Sequence, residues 1–297
     1  MKLRTIVNDL PVLEDARYLY LTLLKHTLTY YLWGETLAPI ETLPRTSPLR
    51  KSIYSILKMV DGLVSTGTAG RVCLARRFKF DPTNRIEGKD WPPLADTMIG
   101  LKRLDNIQFC IEEILRRNIP GDLIETGVWR GGATIFMRGV LKAHGVTDRT
   151  VWAADSFQGL PPPDAARYPS DAGDPHHKFN DLLGVSLEQV KRNFERYGLL
   201  DEQVRFLEGW FKDTLPSAPI KALALLRLDG DMYESTMDAL ANLYPKLSIG
   251  GYMIVDDYYL DGCKQAVHDY RRKHGITEEI QRIGDVSAYW ERARPAA

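Results

Sequence analysis

The chain has 297 residues, 44% of them hydrophobic, enough to bury a sizeable core in one large domain or in a domain with a substantial extension. Its 39 basic and 39 acidic side chains cancel, so no global field draws it to nucleic acid or to an anionic membrane, and a soluble cytoplasmic protein is expected. Cys73, Cys110 and Cys263 are odd in number, far apart and in no CxxC pair, which fits a reducing compartment and argues against a thiolate metal site.

The start, MKLRTIVNDLPVLEDAR, lacks the apolar core and small-residue cleavage site of a signal peptide. YLYLTLLKHTLTYYLW, 18–33, is rich in Leu and Tyr, but Lys25 and His26 interrupt it and it is shorter than the roughly 20 apolar residues of a membrane span. It reads as a helix that packs on the main domain or on a partner subunit, and its Leu and Tyr side chains suggest a homodimer or higher homo-oligomer. Residues 36–95 are punctuated by Pro39, Pro44, Pro48, Pro82, Pro92 and Pro93, which predicts extended connections with a helix near 48–64. The basic cluster RVCLARRFKF, 71–80, reads as a solvated face. Residues 1–95 are therefore expected to be an N-terminal helical and irregular extension, and 96–297 the main domain.

From residue 105 short apolar runs alternate with amphipathic segments. A helix over 105–117 leads to the strand DLIET, 122–126, and a glycine-bearing turn leads to a helix over 132–144. TVWAAD, 150–155, follows. Leu187, Val190, Phe194 and Tyr197 then fall at helical spacing behind Ser186 and Gln189, the positions of a capping box. QVRFLEG (203–209), ALALLRLDG (222–230) and GYMIVDD (251–257) read as strands, interleaved with helices over 234–246 and 262–274. EEIQRIG and SAYWERA, joined without a long helix, predict an antiparallel hairpin. Five strands alternating with helices require right-handed crossovers and a parallel sheet covered on both faces, so the expected class is α/β with a mostly parallel seven-stranded, Rossmann-like sheet. Ligands bind at the carboxyl ends of such strands.

Those ends carry the candidate chemistry. In IETGVWRGGAT, 124–134, Gly127 permits close backbone approach to a ligand, and Gly131 and Gly132 permit the tight turn into the helix. Glu125 would repel a pyrophosphate, whereas the ammonium of S-adenosylmethionine can use an acidic turn. Asp155, with Ser156 beside it, ends the next strand where a carboxylate can accept from both ribose hydroxyls. Gly209 and Trp210 end the third, where a flat side chain could line an adenine pocket. Asp229, Asp256 and Asp257 are hard oxygen ligands on adjacent strand ends, suited to Mg²⁺, while Asp231 and Asp257 could instead cap the helices that follow. Three converging acids without a cation would repel one another, and a metal resolves that conflict.

Six ordered blocks, TMIGLKRLDNIQFC, LIETGVWRGGATIF, VWAADSFQGLP, LEGWFKDTLP, LRLDGDMYESTMDAL and GGYMIVDDYYLDGCKQAVHDYR, together resemble the macrocin O-methyltransferase family. The resemblance covers roughly residues 13–35 and 85–292; the stretch from about 36 to 84 departs from it. It implies a class I methyltransferase sheet and transfer of a methyl group from S-adenosylmethionine, with Mg²⁺, to a sugar hydroxyl of a glycosylated macrolide or aminocoumarin. It also implies that the methionine end of the cofactor lies at Glu125, Thr126 and Gly127, the ribose at Asp155, the adenine near Gly209 and Trp210, and metal at Asp229, Asp256 and Asp257. The segment of Thr97 and Met98 resembles one that folds over the cofactor.

A bound cation lowers the pKa of a coordinated hydroxyl, which leaves Asp229 as the expected general base and His268 as a second candidate. The long polar stretch 160–184 reads as a loop closing over cofactor and acceptor, where His176 and His177 could touch the acceptor. A cation-dependent methyltransferase acting on a catechol or other phenol would share sheet, cofactor and metal. Phosphoryl transfer lacks its GxxxxGK[ST] loop here.

Overall fold

The computed structural model describes residues 16–34, 36–39, 52–57, 59–60 and 75–294. Helix α1 (Ala16–Leu28) buries Leu21, Leu24 and Leu28, spaced three and four apart, and leaves Leu19 and Leu23 exposed. It is followed by a short antiparallel pair, β1 (Thr36–Pro39) with β2 (Ala75–Phe78), which the proline-rich pattern did not predict. Ala75, Arg76 and Arg77 of the basic cluster are solvent-exposed, as expected. Residues 52–57 and 59–60 are helical; the rest of the helix expected over 48–64, like Cys73, lies outside the described residues.

Helix α2 (Pro82–Glu87) is capped by Asp81, whose carboxylate accepts from Thr83 N and Asn84 N. Helix α3 (Gly100–Arg116) begins five residues before the expected 105, because Gly100, at φ +75°, turns against the backbone of Gly88 closely enough to exclude a side chain. Then β3 (Asp122–Thr126), α4 (Gly132–Ala143), β4 (Val151–Asp155), α5 (Leu187–Arg196), β5 (Val204–Glu208), β6 (Leu223–Leu228), α6 (Tyr233–Leu243), β7 (Leu247–Val255) and α7 (Asp261–Lys273) alternate before the hairpin of β8 (Gln281–Ile283) and β9 (Ser287–Glu291). Ser186 caps α5 by accepting from Gln189 N, which realises half of the capping box; the Gln189 amide turns forward to Asn193 instead.

The strand order is β5-β4-β3-β6-β7-β9-β8, parallel from β5 to β7 and antiparallel at the β9 and β8 edge. This is the expected class I methyltransferase sheet. It separates two apolar clusters, one joining α1, α3, α4 and α5 to the sheet and the other joining α6 and α7 to its opposite face. Helix α1 therefore packs on the main domain: a side chain at Gly139 of α4 would meet Leu24 at 2.4 Å. Lys25 pairs with Asp105 of α3 at 2.5 Å. Cys110 and Cys263 are buried free thiols. Among the described residues no helix is long and apolar enough to cross a membrane.

Candidate active site

The winding of the sheet reverses between β3 and β6, and a cavity of about 640 Å³ opens over the carboxyl ends of the strands there. The parallel ladder continues one residue beyond the strands: Asp229 N donates to Thr126 O and Asp256 N to Leu228 O, each at 2.8 Å. That extension sets the two acids side by side. Oxygens of Asp229, Asp256 and Asp257 lie within 4.8 Å of one another, so the carboxylates expected to converge do so. Gly127, at φ +86°, is required by the chain itself, since a Cβ there would lie 1.6 Å from the carbonyl oxygen of Asp229.

The carboxylates are not left to repel. Arg227, in the middle of apolar β6 and fully buried, places Nη1 2.5 Å from Glu125 Oε1 and 2.8 Å from Asp229 Oδ2. Its Nη2 lies 2.5 Å from Asp256 Oδ1 but is misaligned for a hydrogen bond, so that oxygen keeps an unused lone pair. Arg103 of α3 pairs with the other oxygen of Asp256. Two guanidiniums thus partly neutralise the cluster that was expected to need a metal alone for that purpose. Burial outweighs them at Glu125, pushing its carboxyl up to about 7 against the pull of Arg227. Burial, then the charges of Asp231, Asp229 and Asp256, raise Asp257 well above the usual carboxylate range. Three clustered carboxylates, one with an unused buried oxygen, form a donor set that fits a hard divalent cation.

Of the residues expected at the cofactor, Thr97, Met98, Glu125, Gly127, Asp155, Ser156, Trp210 and Asp229 line the cavity. Thr126 and Gly209 do not: Thr126 is sealed between strands, and the Gly209 amide donates to Asp155 O at 2.9 Å. Asp155, expected at a ribose, already has a structural role. Its Oδ2 accepts from Val128 N at 2.6 Å and Trp129 N at 3.3 Å, and its Oδ1 from Phe157 N at 2.7 Å. Its Oδ1 also accepts from Ser156 Oγ at 3.4 Å, so one carboxylate fixes two turns with both of its oxygens engaged. Glu125 is 2% exposed and already engaged by Arg227 and by the hydroxyl of Thr134. Thr97 and Met98 are brought over the cavity by α1, whose last carbonyl, Leu28 O, accepts from Asp96 N and Thr97 N.

Residues 160–184 form a wall of the same cavity through Leu160, Pro161, Pro162, Asp164, Arg167 and His176. The stretch is more ordered than its composition predicts, with 3₁₀ turns at Pro169–Asp171 and His176–Phe179. Its neck is closed by Asn180, whose side chain accepts from Leu160 N at 2.9 Å and donates to Leu160 O at 2.8 Å. His176 lines the cavity and is held 3.0 Å from Asp174; His177 does not line it.

Two sequence expectations are corrected. His268 does not line the cavity, because its position on α7 turns it to Tyr258, with Nε2 2.8 Å from the hydroxyl. Burial and then Arg271, Lys264 and Arg272 lower its pKa. Asp231 does not cap α6: it sits at φ +57° with its amide donating to Asp257 Oδ2 at 3.1 Å, and the cap comes from Asp171. Asp257 does not cap α7, whose first turn has no side-chain cap. Among the described residues nothing hydrogen-bonds or pairs with the Asp231 carboxylate, which lines the cavity. Trp91 and Tyr259 also line it and gave no signal as isolated aromatics in loops.

Residues 17–292 match the family described as Macrocin-O-methyltransferase (TylF). The 8-demethyl-8-(2,3-dimethoxy-alpha-L-rhamnosyl)-tetracenomycin-C 4'-O-methyltransferase of Streptomyces olivaceus is 49% identical over 284 residues, 96% of each chain. The demethyldecarbamoylnovobiocin O-methyltransferase of Streptomyces niveus is 52% identical over 87% of this chain and 100% of its own. Among solved structures, the O-methyltransferase NovP superposes with a TM-score of 0.78 at 47% identity, over 94% of this chain and 100% of that one.

Proposed function

The chain belongs to the macrocin O-methyltransferase family and is an S-adenosylmethionine-dependent O-methyltransferase, and we propose that it methylates a sugar hydroxyl of a glycosylated natural product with Mg²⁺ held by Asp229, Asp256 and Asp257. The observation that carries this reading is that the glycine turn after β3 and the three carboxylates open on one cavity. The rhamnosyl acceptor in the name of one relative supports a sugar, and the loop from 160 to 184 provides a wall that shields the reaction from water.

Bound at the three carboxylates, the metal would supply acidity to a coordinated hydroxyl. The proton then needs an acceptor. Asp229, expected in that role, is already held by Arg227, whereas the Asp231 carboxylate is free on the cavity wall, which favours Asp231 as the general base. Thr97, Met98 and Trp210 would flank the methyl donor, and the Asp155 carboxylate would take a ribose hydroxyl. The exposed pair Leu19 and Leu23 on α1 supports a homo-oligomer; a single monomer mass in light scattering at micromolar concentration would count against it.

The test is calorimetric titration of S-adenosylmethionine, with and without Mg²⁺, into wild type and Asp155→Ala. Binding that is lost in the variant is expected, followed by methylation of glycosides in preference to catechols in an acceptor panel. Asp231→Asn is expected to lower kcat by about 10²–10⁴-fold with cofactor affinity unchanged. Turnover within about tenfold of wild type would reassign the base.

A further inference from the structure

We propose that Asp171 is a positioning residue through which the wall formed by 160–184 sets the two carboxylate-bearing loops. Asp171 is 3% exposed although it lies in the most polar stretch of the chain. Its Oδ1 accepts from Tyr233 N at 2.6 Å and its Oδ2 from Glu234 N at 3.1 Å, the first two amides of α6. That helix has no cap of its own, since Met232 precedes it. A cap supplied from 62 residues upstream therefore fixes the terminus that directly follows Asp229, Gly230 and Asp231.

The same carboxylate reaches the second loop. A Cβ at Gly262, in the first turn of α7, would lie 2.8 Å from Asp171 Oδ1 and 3.3 Å from Tyr233 N, so the starts of α6 and α7 meet on Asp171. Helix α7 directly follows the loop of Asp256 and Asp257. Adjacent contacts join the same elements: Ser170 Oγ donates to Gln265 Oε1 at 2.8 Å, and the rings of Tyr168 and Tyr233 are 5.9 Å apart. The wall and the acids are thus parts of one latch. Losing it frees the start of both helices and, with them, the acids that precede each.

The metal arm of the test rests on the function proposed above; the exchange arm does not. Amide hydrogen exchange is measured on ligand-free wild type, Asp171→Ala and Asp171→Asn, with circular dichroism to establish that each is folded. In Asp171→Ala, exchange is expected to accelerate both at 230–236 and at 258–264, while the β3 and β4 ends remain protected. Asp171→Asn, which keeps one oxygen acceptor for the two amides and is a strong N-cap residue, is expected to restore part of the protection. Acceleration confined to 168–175, or to α6 alone, overturns the proposal. Titration of Mg²⁺ alone is expected to show at least about tenfold weaker binding in Asp171→Ala, as for other residues that orient metal ligands. Unchanged affinity in a folded variant overturns the proposal as well. Absence of Mg²⁺ binding in wild type overturns the metal reading instead, and the exchange comparison then decides the latch by itself.

Discussion

Arg227→Met removes the cation on which three carboxylates converge. The structure indicates which of them suffers. Asp256 keeps Arg103, and Asp229 is 25% exposed and can be rehydrated. Glu125, 2% exposed, is left with only the Thr134 hydroxyl. Removing one partner of a buried pair costs about 3–5 kcal/mol. At about 2–4 °C per kcal/mol for a large domain, Tm should fall by about 6–20 °C at pH 8.5, above the raised value of Glu125, where the orphaned carboxyl would otherwise be ionised. The loss should depend on pH in a defined direction. Glu125 is already raised to about 7 in the folded protein, so between its unfolded value and that point the native state binds the extra proton and stability falls as pH rises. Without Arg227 that slope steepens and extends to higher pH, and the deficit against wild type should shrink as pH approaches 5. Arg227→Met with Glu125→Gln, which leaves no charge to orphan, should recover about half or more of the lost stability. Thermal unfolding followed by circular dichroism at pH 5, 7 and 8.5 measures all three proteins. A Tm within about 3 °C of wild type at pH 8.5, or a double variant no more stable than the single one there, would refute the reasoning.

Gly127→Ala should abolish folding at 37 °C or nearly so, since the added methyl would occupy the place of the Asp229 carbonyl oxygen at a φ of +86°; a soluble variant with wild-type Tm would show that the β3 and β6 ends are further apart. Asp201 accepts from Arg138 Nε at 2.9 Å and Nη2 at 2.6 Å, and these bonds hold its carboxyl below the usual range. Its contribution is present above about pH 4 and disappears as acid titrates it through the lowered value. Asp201→Asn should therefore cost about 0.5–1 kcal/mol at pH 7, where solvent screens the pair, and progressively less as acid lowers the pH below about 4. A deficit that does not shrink in acid would assign the effect to packing.

The sheet was legible because β3 to β7 are covered on both faces and so appear as near-continuous apolar runs, and the carboxylate cluster because adjacent parallel strands end level. What escaped was long-range pairing. Arg227 reads as one interruption in an apolar run; its role appears only when Glu125, 102 residues away, is its neighbour. Asp171 reads as one acid among many in a loop, and Asp231 as a local cap, because the amides that choose between them are 62 residues from one and two from the other. Thr97 and Met98 carry no chemical signature. They were placed by resemblance, and the backbone explains them through the carbonyl of Leu28.

That carbonyl has a consequence for the order of assembly. Helix α1 leaves the ribosome well before α4, against which Leu21, Leu24 and Leu28 must be packed. At about 5–20 residues per second the intervening chain takes on the order of ten seconds to synthesise. Throughout that interval a Leu-rich stripe waits without its partner, a natural client for a chaperone. The wall of the cavity that hangs on Leu28 is completed only when helix α1 finds the later α4.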